Sequence, residues 1–351
     1  VDFIDSGELA AVCANLGIAH PTGYPLFTLI GHLFSEIPLA DRVIERLNIM
    51  SALFAAAGAG VFVLLVRLLT RIIYAPAETG GKRKKKGAEK NGSGPVNEKS
   101  LWLPAAASGL LLAWAAVFWE TGTTLEVYSL HGLFTVLLLY LGIMYAEADE
   151  KEKDWRRGLV FFLVLGLSLA NHLTTGLLLP AFFLLFLIKY ITQKTPLKRI
   201  VLVTLPVVIG LLFYLYLPIR ASARPEIMWG IPDNLGAIWD NLTVRDFQSR
   251  LFSRQSEGEA WLDFFIRFPS RTGYLTVILV VSGMIITWRR RRRYFFFLLL
   301  VCLAALFYAA TYNVGDNLFY FNPAYIALIA YAAVAAAALF NFCRRRFRSI
   351  T

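Results

Sequence analysis

Along its length the chain alternates long apolar runs with short polar segments. Runs at 48–74, 101–118, 126–146, 158–170, 173–190, 200–219, 273–288, 294–311 and 323–343 approach the roughly 20 residues a helix needs to cross a bilayer, and snorkelling arginines extend the shorter ones. The pattern predicts an all-α polytopic membrane protein with about nine spans. Asn171 and His172 interrupt the apolar stretch between 158 and 190, so that stretch reads as two short spans joined by a polar tip.

The polar segments sort by charge. Under alternating crossing, one side receives 75–100 with Lys82 to Lys86, 147–157 with Arg156 and Arg157, and 191–199 with Lys194, Lys198 and Arg199. The block Arg289 to Arg293 and the tail from Arg344 to Arg346 fall on the same side. Basic loops mark the cytoplasmic face. Merging the doubtful pair of spans would send the later clusters to the wrong side, which favours two spans there. The opposite face then carries 1–47, 119–125, the 171–172 tip, 220–272 and 312–322.

This divides the chain into four parts. Residues 1–47 form a first non-cytoplasmic loop with short amphipathic helices and acids, and 48–219 a transmembrane bundle interrupted by the basic linker 75–100. Residues 220–272 form a long interfacial loop, and 273–351 the last spans and a basic tail. The Lys-, Gly- and Ser-rich linker has the composition of an unstructured segment.

Composition agrees. The 351 residues are 57% hydrophobic and 14% aromatic, with a mean hydropathy of +0.58, well above the roughly 45–50% apolar content of soluble domains. A net charge of +11 would suit nucleic acid, but its distribution in short blocks between apolar runs is that of cytoplasmic loops. Cys13, Cys302 and Cys343 share no metal-ligand spacing and suggest no disulfide framework. The chain has no phosphate-binding glycine loop, no H-E-x-x-H and no G-x-S-x-G, so nucleotide-driven transport and serine or zinc hydrolysis have no support. It shows no internal repeat of the kind common in transporters.

Candidate chemistry gathers on the side opposite the basic loops. The opening "DSGELAAVCANLGIAHPTGYPLF" places Asp5 and Glu8 three apart, hence on one face if the segment is helical. Asp5 or Ser6 as N-cap explains these acids without catalysis. The His20-Pro21 and Gly23-Tyr24-Pro25 steps then force a rigid turn before a second apolar helix, and His20 alone reads equally well as a structural histidine. Glu126 and Tyr128, Asn171 and His172, and Asp316 and Tyr320 recur at the same ends of later spans. Such one-sided clustering of ionisable groups at a membrane boundary is a functional-site signal.

Arg220 closes a span at phosphate level, where a guanidinium serves as a phosphate ligand or an interfacial anchor. Trp229, Trp239 and Trp261 suit an interfacial belt or stacking on sugar or polyprenyl groups. Asn241-Leu242-Thr243 matches a glycosylation sequon.

Several stretches occur together and in order: "DSGEL", "GIAHPTGYPLF", "ERLNIMSALFAA", "EVYSLHGLF", "GLSLANHLTTGLLLP", "LYLPIRA" and "YNVGDNLFYFNP". In them the chain resembles the membrane family of domain of unknown function 2723, which is related to the protein O-mannosyltransferases of the transmembrane protein 260 kind. The resemblance implies a C-type glycosyltransferase (GT-C) fold, with one further span before Val1. It implies transfer of a sugar such as mannose from a polyprenyl-phosphate donor to a protein or glycan hydroxyl, on the non-cytoplasmic face of a bacterial inner membrane. Asp5 matches the family's general base, with Glu8 and His20 beside it as orienting or metal-assisting groups. A divalent ion, Mg or Mn, is compatible with these acids, although no ligand spacing compels one. Arg220, Glu126, Tyr128, Asn171, His172, Asp316 and Tyr320 are the expected substrate-binding residues. The alternative is a transporter or flippase of lipid-linked sugars using the same cavity.

Overall fold

The computed structural model describes residues 4–75, 98–148, 151–250, 257–312 and 317–348; most of the basic linker, and Asp316, lie outside them. Inside a bilayer every peptide group needs an internal partner, so apolar segments become helices. The described residues are helical almost throughout. Two short helices, α1 (Ile4–Asn15) and α2 (Pro25–Ser35), precede the 32-residue α3 (Val43–Tyr74). The first span thus starts five residues before the apolar run, at Val43, with Arg42 and Glu45 closing its first turn.

The predicted 101–118 run is two helices, α4 (Trp102–Trp114) and α5 (Ala116–Thr123), bent by 65° at extended Ala115. The straight α6 (Val127–Ala146) follows, then α7 (Lys151–Asn171). After a 3-10 turn over Leu173–Leu178, α8 (Leu179–Thr192) completes a span. Three short helices, α9 (Leu197–Thr204), α10 (Val207–Leu211) and α11 (Tyr216–Ala223), make up the next span. The 220–272 loop holds α12 (Leu235–Leu242) and α13 (Glu257–Thr272). Gly273, at φ +90°, turns the chain through 109° into α14 (Tyr274–Arg290). The last helices are α15 (Arg292–Thr311) and α16 (Asn322–Arg348).

By length and composition six of these segments can cross a membrane, or eight if each bent pair counts as one span. The expected run that this measure does not count is 158–170: α7 begins at Lys151, so the charges of "KEKDWRR" occupy its first turns, yet the helix runs from the basic end, where Asp154 pairs with Lys189, to the opposite end, where Asn171 meets Val127.

Glycines set the closest helix contacts. A methyl at Gly283 of α14 would lie 1.8 Å from the Tyr331 carbonyl oxygen of α16, and one at Gly210 of α10 would lie 2.0 Å from the Gly166 carbonyl carbon of α7. Without a hydrophobic drive between helices in lipid, such backbone approach is a main source of packing energy.

The bundle has two chemically distinct ends. At one, Arg291 donates to the carbonyls of Ile72 and Ala75, Arg293 pairs with Glu147, and Lys189 and Arg199 pair with Asp154. Ser100 meets Asn341 there as well. The described basic residues Lys189, Arg199, Arg291 and Arg293 gather at this end, as the charge pattern predicts. At the other end Ser6 donates to Leu125 O and Asn171 to Val127 O, and Tyr128 stacks on Phe319. This binds the openings of α1, α6 and α16 to the tip after α7.

Candidate active site

The site is built on the turn between α1 and α2. Leu16 adopts φ +50° after α1 ends, and Gly17 N–H bonds back to Val12 O at 2.9 Å. Ile18 then runs beside Met228 in an isolated parallel bridge: Ile18 N–H donates to Ile227 O at 3.0 Å, and Trp229 N–H to Ile18 O at 2.9 Å. The first loop and the long loop are thereby joined, and Trp229 comes edge-on to His20.

Neither Asp5 nor Ser6 caps α1 as read from the sequence. The helix starts at Ile4 with Asp5 in its first turn, and the Ser6 hydroxyl is committed to Leu125 O. Asp5 and Glu8 do share a face, as their spacing requires, and one ligand atom from each of Asp5, Glu8 and His20 lies within 4.8 Å of the others. Glu8 accepts from His20 N–H at 2.7 Å and from His20 Nδ1 at 3.2 Å, which makes Nδ1 the protonated ring nitrogen. Nε2 lies 3.1 Å from the Tyr24 hydroxyl. Burial alone would raise the Glu8 pKa, but the hydrogen bond, charge and backbone N–H of His20 together outweigh it and hold the carboxyl below its ordinary value.

Tyr24 carries the turn to the next group of residues. Its ring stacks on His172 at 5.5 Å between centroids. Tyr128, His131 and Tyr320 close around the same imidazole at 5.2–6.0 Å. A cavity of about 400 Å³ opens beside it, walled by Pro21, Tyr24, His172, Phe247, Tyr308 and Tyr312 among others. His172 Nδ1 faces Thr174, at 3.3 Å from its N–H and 2.6 Å from its hydroxyl. Burial, with His131 and His20 nearby, depresses the His172 pKa well below its ordinary value, so the ring is neutral at physiological pH.

The other expected residues fall nearby in different roles. Glu126 is buried as the residue preceding α6, and Asn171 is fully buried with its amide donating to Val127 O. Arg220 donates through Nε to Leu16 O at 2.7 Å and through a terminal nitrogen to Asn15 O at 3.3 Å. It neutralises the last carbonyls of α1 and is not among the cavity walls. Asn241 is buried beside Gly23, which leaves its sequon inaccessible to a glycosylating enzyme.

Sequence reasoning passed over Tyr24, His131, Tyr308 and Tyr312. His131 stands three residues after Tyr128 in "EVYSLHG", the helical spacing that puts both on one face. Tyr308 and Tyr312 are four apart, also a one-face spacing, but Tyr308 lies in the apolar run 294–311 and Tyr312 directly follows it, where aromatics ordinarily signal packing.

The all-helical membrane bundle has the C-type glycosyltransferase fold. The solved structure of ArnT from Cupriavidus metallidurans bound to undecaprenyl phosphate matches it with a TM-score of 0.62 at 14% identity, over 94% of this chain and 54% of that one. Within that class, residues 5–195 match the Protein O-mannosyl-transferase TMEM260 N-terminal domain, and the chain belongs to this family. The TMEM260 protein O-mannosyl-transferase of Mus musculus is 28% identical over 253 residues, covering 72% of this chain and 31% of the mouse protein. That of Dictyostelium discoideum is 26% identical over 244 residues, covering 64% and 26%. The alignments thus span only about a quarter to a third of these relatives.

Proposed function

We propose that this chain forms the membrane catalytic unit of a glycosyltransferase. It moves a sugar, mannose in this reading, from a polyprenyl-phosphate donor to an acceptor hydroxyl, a protein serine or threonine. The observation that carries the reading is the convergence of Asp5, Glu8 and His20 behind Tyr24, which bonds His20 and walls the aromatic cavity that the three residues themselves do not line, at the end of the bundle away from the basic loops. The names of the relatives support mannose and a protein acceptor, and the undecaprenyl phosphate of the structural neighbour supports the lipid carrier. By the positive-inside rule the acidic end faces away from the cytoplasm.

In an inverting transfer the acceptor oxygen forms its bond to the anomeric carbon as the bond from that carbon to the phosphate oxygen breaks. The electron pair leaves with the phosphate, and the hydroxyl proton goes to a carboxylate. Asp5 is the base in this reading. Glu8, fixed by His20, orients the acceptor hydroxyl, and Tyr24 holds His20 from its other ring nitrogen. General-base assistance of this kind contributes about 10²–10⁴-fold.

The two carboxylates and one imidazole also fit a small divalent cation such as Mn. Such an ion would supply positive charge for the leaving phosphate, and Asp5 and Glu8 would hold it, with His20 joining them only by exchanging its bond to Glu8 or Tyr24. Arg220 contributes by fixing the end of α1 rather than by facing the cavity.

The test is transfer of radiolabelled mannose from polyprenyl-phosphate mannose to a Ser/Thr peptide, by the purified protein and by Asp5→Asn. Transfer that falls by at least about 10²-fold in the variant supports both enzyme and base. Persistent transfer removes Asp5 as base, and no transfer from any lipid-linked donor turns the reading to a transporter.

A further inference from the structure

The His172 ring is nine-tenths buried, yet among the described residues its Nε2 has no hydrogen-bond partner. Its tautomer follows from its neighbours. Nδ1 faces the main-chain N–H of Thr174, a group that only donates, so Nδ1 accepts and the ring proton sits on Nε2. A buried N–H without an acceptor is costly, and natural proteins rarely keep one without a use. The ring also lines the cavity. It is held by stacking on Tyr24 and by contacts with Tyr128, His131 and Tyr320, so it cannot swing away to find water.

Two features identify the missing acceptor as an anionic oxygen. His172 immediately precedes the 20-residue span Leu173–Thr192, whose aligned peptide dipoles place partial positive charge at this end. The cavity walls are mostly rings and aliphatic side chains, surroundings that suit a lipid chain and strengthen a hydrogen bond to charge.

We propose that His172 donates its Nε2–H to a phosphate oxygen of the polyprenyl-phosphate substrate, and that this bond distinguishes the phosphorylated lipid from the free polyprenol. The proposal rests on the lipid-carrier part of the function above, and on neither the sugar nor the transfer step. His172 is then the residue that registers the phosphate above the acids and stabilises it as it departs. Since the imidazole stays neutral, it does so by hydrogen bonding and without a titrating charge.

The experiment measures binding of polyprenyl phosphate and of polyprenol to the purified full chain in detergent, for the wild type, His172→Phe and His172→Gln. Phe keeps the ring stacking and removes the donor, whereas Gln places an amide N–H near Nε2. We expect His172→Phe to bind the phosphate about 10- to 100-fold more weakly and polyprenol unchanged, and His172→Gln to stay within about threefold of wild type for both. Equal losses for the two lipids in His172→Phe would overturn the proposal in favour of a packing role. Unchanged phosphate binding in that variant, or wild type that does not prefer phosphate to polyprenol, would also overturn it. Failure of the glycosyltransferase reading looks different: wild type binds phosphate through His172 but transfers no sugar.

Discussion

Gly23 offers the most quantitative handle on the site. Its φ of +82° lies in the left-handed region, its N–H closes the turn onto His20 O at 2.8 Å, and a Cβ added there would sit 2.7 Å from Leu217 Cδ2. An L side chain in left-handed backbone costs roughly 1–2 kcal/mol. Carbon atoms prefer about 3.5–4.0 Å, and Leu217 is fully buried against Ile18, Tyr216 and Ala221, so the overlap adds about 1–3 kcal/mol. Gly23→Ala should therefore cost about 2–5 kcal/mol, a large share of the roughly 5–15 kcal/mol typical of a folded protein. It should also lower sugar transfer, because the same turn sets His20 and Tyr24. Chemical unfolding in detergent measures the cost, and a double-mutant cycle with Leu217→Ala separates its parts. In the Leu217→Ala background only the backbone part should remain, about 1–2 kcal/mol. A cost below about 0.5 kcal/mol, or an undiminished cost in that background, would refute the reasoning.

Other perturbations follow from the same contacts. Glu8 is held below its ordinary 4.5 by His20, so its contribution to stability is present above about pH 4.5 and is lost as pH falls through the folded value; Glu8→Gln should flatten that acid limb of a stability-against-pH curve. His172 is depressed below 6.5, so stability should fall as pH drops below about 6.5, and a smaller slope in His172→Gln checks the assignment. At the basic end Lys189 and Asp154 pair at 2.7 Å with side chains 1% and 8% exposed. Because Arg199 also holds Asp154 at 2.9 Å, Lys189→Met leaves the carboxylate paired, whereas Asp154→Leu strands the buried Lys189 and should cost about 3–5 kcal/mol, with Lys189→Met added to it restoring much of the loss in the same unfolding assay. Gly283→Val cannot be accommodated 1.8 Å from Tyr331 O without separating α14 from α16, and should abolish a monodisperse detergent-solubilised species on size exclusion.

The one-dimensional pattern determined a great deal. Apolar runs and basic blocks located most of the spans and sorted their ends, because lipid admits only internally bonded helices and loop charge follows topology. The i,i+3 spacing of Asp5 and Glu8 predicted a shared face, and the His-Pro and Gly-Tyr-Pro steps predicted the turn that brings His20 back to Glu8 at 3.2 Å. Tertiary structure decided what spacing cannot encode. Only the folded chain pairs Ile18 with Met228 to set Trp229 beside His20, and turns Arg220 from a phosphate candidate into a cap on α1. Only there is the Asn241 sequon buried. The bends at Ala115 and Gly273 are likewise invisible in an apolar count. His172 shows the division most clearly: sequence marks it as a polar tip, but whether a buried ring nitrogen is satisfied or left without a partner depends on groups that meet only when the turn before α2, the start of α6 and the segment leading into α16 pack around it. Local rules act over a few residues, whereas a hydrogen bond that is left unmade is a property of the whole packed environment.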